Sequence, residues 1–81
     1  MNKQETITMI AAILTSLHEA DSGTPESMLY ILCNMDMEKW NYIRGIMLRA
    51  NWVSIKGNYV TLMPEGTKMA IEINNALKAK Q

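Results

Sequence analysis

The chain has a single cysteine, no phenylalanine, one histidine, two prolines, four glycines and no surplus of either charge. With Cys33 alone, no intrachain disulfide forms and no Cys-rich zinc site assembles, so a reducing cytoplasm is the expected setting. His18 has no second histidine with which to share a metal, and neither a metal nor another cofactor is expected. Eight Lys and Arg balance eight Asp and Glu, which removes the overall basic footprint by which nucleic-acid binders are most simply recognised. The longest apolar run, Met9 to Leu14, is far shorter than the roughly 20 residues that cross a bilayer. Only Lys3 supplies positive charge before it, so no signal peptide or membrane anchor is expected.

What is there is one small domain spanning residues 1–81, with 48% hydrophobic and 20% charged residues, a balance that favours a packed fold over disorder. A chain of this size encloses little volume, which disfavours a deep catalytic cavity. Methionine occurs eight times, either as core filler or as an adaptable partner surface.

Hydrophobic spacing divides the chain at its glycines and prolines. From Glu5 to Ala20, Ile7, Ile10, Leu14 and Leu17, widened by Ile13, form one stripe of an amphipathic helix, with Met9 off that face. Asp21-Ser22-Gly23 closes it. Thr24-Pro25-Glu26 reads as a cap, a first-position proline and a first-turn acid of a short helix from Pro25 to Cys33. Asn34-Met35-Asp36 connects to a third helix reaching about Ala50, with Asp36 placed to accept from its free amides and Trp40, Ile43, Met47 and Ala50 as its buried seam.

After it, Trp52 to Ile55 and Val60 to Leu62 alternate around Gly57-Asn58, a β-hairpin in which Ile55 faces Val60 and Val53 faces Leu62. Pro64-Glu65 opens a last helix whose stripe is Met69, Ala70, Ile73, Ala76 and Leu77, ending in the polar residues Lys78-Ala79-Lys80-Gln81. The expected fold is mostly α with a small β-hairpin, in the order helix, helix, helix, hairpin, helix. A lone hairpin is marginally stable, so its apolar side must pack on the helices.

The stretch from Trp40 to Gly66, reading "IMLRANWV", "SIKGNYV" and "TLMPEGTKMA", resembles the winged helix-turn-helix superfamily, especially small prokaryotic regulators of the MarR and PadR type. Their pattern runs "L..L...G.V......Y.LTP.G...A". Met63 stands where that pattern has a capping Thr, Asn51 where Gly is common, and the wing is short, with Lys56 its only base. The resemblance implies a transcriptional regulator that places helix 37–50 in the major groove of double-stranded DNA and touches flanking backbone with the wing. It also implies a homodimer formed through the first and last helices, where Met9 and Ile71 are the off-stripe apolar residues.

At about 100° per residue, the outward arc of the third helix holds Glu38, Asn41, Tyr42, Gly45, Leu48 and Arg49, with Arg44 on its flank and Lys39 nearer the buried side in the first turn, from where its ammonium can swing out. Lys39, Arg44, Arg49 and Lys56 are the candidate phosphate contacts, Asn41 and Arg49 the candidate base-edge readers, and Tyr42 lies among them. Residues 36–58 carry these four bases against two acids, Asp36 and Glu38, a local positive excess inside a neutral total. The alternative is a protein-interaction module that uses the near-neutral Tyr42/Gly45/Leu48 surface or the Met-rich helices, with the same charges as solvated surface.

No catalytic constellation is found. Cys33 lies among Leu29, Ile31 and Leu32, which reads as an inert buried thiol. Glu19/Asp21 and Asp36/Glu38 are close acidic pairs, but helix-end polarity accounts for the second without catalysis; no glycine-rich phosphate loop exists, and an enzyme is not expected.

Overall fold

In a computed structural model, which describes residues 2–20 and 23–79, four helices surround a small antiparallel sheet. The elements are α1 (Lys3–Ala20), β1 (Thr24–Pro25), α2 (Glu26–Leu32), α3 (Met37–Arg49), β2 (Val53–Lys56), β3 (Tyr59–Leu62) and α4 (Pro64–Ala79). The closing residues Asp21 and Ser22 and the terminal Lys80 and Gln81 lie outside the described residues.

α1 starts two residues earlier than the stripe indicated. The Glu5 amide donates to Asn2 Oδ1 at 2.8 Å, and Asn2 Nδ2 donates back to Glu5 Oε1 at 3.1 Å, a reciprocal cap that satisfies a first-turn amide. Its buried face is Ile10, Ile13, Leu14 and Leu17. Ile7, expected on that stripe, is 52% exposed, while Met9, expected off it, packs partly buried against the core. The helix therefore turns its Met9/Ile13 side inward more than the period alone indicated.

Thr24 and Pro25 form an edge strand rather than opening a helix: Thr24 pairs with Val60 and Pro25 with Tyr59, which makes β3 the central strand. Proline is tolerated there because an edge strand leaves its missing N–H facing away from the ladder. The Glu26 amide then donates to Asn58 O at 2.7 Å, tying the start of α2 to the hairpin turn. The hairpin has the expected register, with Val53 opposite Leu62 and Ile55 opposite Val60. Gly57 takes φ +59° at the first loop residue, the conformation that a type II′ turn asks of glycine.

Helices α2 and α3 stop in the same way. Asn34 (φ 53°) and Asn51 (φ 61°) adopt left-handed conformations just past the helices. The amides of Met35 and Trp52 reach back to the carbonyls of Tyr30 and Met47 at 2.8 and 3.0 Å. These are Schellman motifs in which asparagine takes the place usually held by glycine. Asp36 caps α3 as expected, its Oδ1 accepting from the Lys39 amide at 2.8 Å.

One core joins every helix and the β2–β3 hairpin. Trp40, Ile43 and Met47 of α3 are fully buried, with Leu29 of α2, Val60 of β3 and Ala70 of α4 around them. Ala50, the last member of the expected α3 seam, is the C-cap and only half-buried. On α4 the stripe is buried only in its first half: Ala70 is buried and Met69 and Ile73 are partly so, but Ala76 is exposed and Leu77 is 56% exposed. α4 lies along α1.

Candidate nucleic-acid interface

α3 buries one side and leaves the other open. The first-turn acid Glu38 and the last-turn base Arg49 both match the helix dipole. Asn41 and Tyr42 are exposed on the open side, followed by Leu48 and Arg49 one to two turns on, and Lys39 is exposed at the edge nearer the buried seam. Gly45 keeps this side low. Arg49 lays its guanidinium across the bare backbone there, with Nη1 3.4 Å from where a Cβ of Gly45 would stand. The first turn borders an open depression of about 540 Å³ lined by Asp36, Glu38, Lys39 and Tyr42, so two acids sit beside the basic and aromatic groups.

Arg44 is the expected contact that the structure sets apart. Its Nε lies 3.0 Å from Glu26 Oε1, with side chains 38% and 20% exposed respectively. The Nε–H is not aligned on the carboxylate and makes no hydrogen bond, so the contact is ionic. The same oxygen accepts from Trp40 Nε1 at 2.6 Å, and the Trp40 ring packs 6.1 Å from that of Tyr30, centroid to centroid. Glu26 therefore holds α2 to α3 and neutralises Arg44 within the domain. Sequence reasoning missed this residue as a site determinant, because a separation of 18 positions from Arg44 carries no periodic signal.

Among the described residues, Lys39, Arg49 and Lys56 have no ion pair. Lys56 ends β2 opposite Tyr59, whose ring is 56% exposed. Tyr59 was not among the expected site residues, although its place next to the turn was legible. The unpaired bases of the interface thus number three, against Glu38 and the capping carboxylate of Asp36.

The two expected dimer residues do not stand alike. Ile71 is 44% exposed on α4, while Met9 is packed partly into the core. Cys33 is half-buried, and burial pushes its thiol pKa upward. Ile31 and Leu32, expected to enclose it, instead point outward at 71% and 69% exposure. A raised pKa leaves less thiolate, so Cys33 should be alkylated by iodoacetamide at pH 8 several-fold more slowly than free cysteine. Reaction at or above the free-cysteine rate would contradict that burial.

Among the described residues, no helix is long and apolar enough to cross a membrane, and no group of three or more His, Cys, Asp or Glu is placed to hold a metal ion. No protein family, curated protein or solved structure matches the chain.

Proposed function

We propose that this domain is a winged helix-turn-helix that binds double-stranded DNA as a transcriptional regulator, with α3 in the major groove and the β2–β3 turn against flanking backbone. The observation that carries this reading is the open side of α3. It presents Asn41, Tyr42 and Arg49 on a helix whose other side is locked into the core, with Lys39 exposed at the edge of the open side in the first turn. An α-helix fits the major groove, where Asn and Arg make bidentate contacts with base edges. Lys39 and Lys56 serve the phosphates.

The pairing of Arg44 changes the expected hierarchy. Arg49→Ala should weaken duplex binding by about 1–3 kcal/mol, whereas Arg44→Ala should cost clearly less affinity, because its charge is already neutralised by Glu26. With Lys39 and Lys56 on phosphates, the logarithm of the binding constant should fall with the logarithm of salt at a slope of about −2 per protomer. Fluorescence anisotropy with a pool of genomic duplex fragments, between about 25 and 200 mM salt, where the Debye length falls from about 19 to about 7 Å, measures both. Equal losses for the two arginines would contradict the hierarchy, and absence of binding at the lowest salt would overturn the reading.

A second reading, that the domain grips a protein, is favoured by one observation: Met28, Ile31 and Leu32 are 60%, 71% and 69% exposed on α2. Under that reading duplex DNA does not bind, and substitutions on α2 outweigh those on α3.

A further inference from the structure

Gly45 stands inside α3, where glycine weakens a helix relative to alanine. It is not a stop signal, because α3 runs one further turn to Arg49 and ends on the left-handed Asn51. Nor does packing within the domain demand it. Outside its own helix backbone, and among the described residues, a Cβ at Gly45 would meet only Arg49, with Nη1 at 3.4 Å and Cζ at 4.0 Å. That is ordinary van der Waals contact with the free end of a flexible side chain, so alanine fits. Gly66 is the opposite case, because a Cβ there would overlap the Trp52 carbonyl. The reason for the missing side chain at Gly45 therefore lies outside the domain.

Its place on the helix says what kind of reason. At about 100° per residue, Gly45 points away from the seam of Trp40, Ile43 and Met47 and falls at the centre of the open side, between Asn41 and the pair Tyr42 and Arg49. A helix with its side chains is about 10–12 Å across, against a major groove about 12 Å wide. The groups at the centre of the outward face therefore set how deep the helix enters. Here that centre is bare backbone, with Arg49 lying back across it. Glycine is the residue that lets a backbone approach a ligand closely.

We propose that Gly45 is a positioning residue for sequence recognition in duplex DNA. The bare backbone is where α3 comes closest to the base edges, and that depth brings Asn41 and Arg49 within reach of them. The proposal rests on the DNA reading of α3 and adds to it the residue that sets specificity without making a hydrogen bond of its own. Lys39 at the edge of α3 and Lys56 on the hairpin reach phosphates without this depth, so they sustain binding that ignores sequence.

The test begins with selection, by the full chain, of a preferred duplex from a randomised pool. Anisotropy then compares the parent with Gly45→Ala on that duplex and on one of unrelated sequence. Gly45→Ala should bind the preferred duplex about tenfold more weakly, the size of one lost base-pair contact, and the unrelated duplex within about twofold of the parent. Its thermal midpoint should rise by about 4–8 °C, since alanine favours the helix, which separates the loss from any failure to fold. Gly45→Leu, with a larger side chain on the same open face, should lose more. Parent affinity of Gly45→Ala for the preferred duplex, or an equal loss on both duplexes, would overturn the role of Gly45 and leave DNA binding by α3 in place. A parent chain that binds duplexes without preference also overturns it. A parent chain that binds no duplex overturns the DNA reading, and this proposal with it.

Discussion

Gly66→Ala should destabilise the domain by at least about 3 kcal/mol, at the upper end of what overpacking costs, and lower the midpoint of thermal unfolding by on the order of 15 °C. Gly66 is buried in the first turn of α4, where a methyl group would overlap the Trp52 carbonyl and approach Leu62 Cδ2 at 3.0 Å. That carbonyl is fixed, because it accepts from the Met63 amide at 2.9 Å on the other side of the hairpin. The carbonyl is backbone and cannot swing aside, although the Leu62 methyl can give way. Relief therefore requires α4 to lift from the sheet and to loosen its packing on α1. Gly57→Ala makes the contrast: a Cβ there meets open space, and only its φ of +59° opposes a side chain, a cost of about 1 kcal/mol. A Gly66→Ala variant within about 0.5 kcal/mol of the parent by urea unfolding would show that α4 does not sit this closely on the hairpin.

Glu26→Ala should cost about 2–4 kcal/mol, because one carboxylate oxygen serves two groups that are poorly placed to find water. Trp40, whose Nε1 it accepts from, is fully buried, and the Nε of Arg44 is buried although its side chain is 38% exposed overall. That partial exposure lets solvent take up part of the ionic loss, which keeps the expected cost below that of a fully buried pair. Glu26→Gln retains an acceptor for the indole and loses only the ionic contact, so it should cost about 1 kcal/mol. Its effect on binding is opposite in sign. Glu26→Gln removes an acid beside α3 and frees Arg44, so duplex affinity should rise and the salt slope should steepen by about one. Unfolding curves and anisotropy on the same two variants check both halves, and a Glu26→Gln variant with lower affinity at intact stability would contradict the role assigned to Arg44.

The parts of this fold that follow from local chemistry were legible in the sequence. The hairpin register came from alternation around Gly57-Asn58, and the start of α3 from Asp36. What was not legible depends on partners distant in sequence. The Thr24-Pro25 dipeptide is too short to show a strand period, and β3 decides its conformation. The period of α1 gave an apolar stripe but not how the helix faces its neighbours, and the apolar residues around Cys33 gave no direction for α2, so Ile7, Ile31 and Leu32 were expected inside and lie outside. The basic residues of α3 were legible as types. Which of them is free was decided by Glu26, whose contact with Arg44 crosses from α2 to α3 and leaves no trace in either helix's pattern.

The most direct test of the DNA reading is a map of backbone amide shifts in the ¹⁵N-labelled domain as a short duplex is titrated in at low salt. The account predicts perturbations concentrated on Lys39, Asn41, Tyr42 and Arg49 of α3 and on Lys56 at the turn, smaller changes at Arg44, and reversal on adding salt. Unperturbed α3 amides at saturating duplex, or shifts confined to Met28, Ile31 and Leu32, would contradict it.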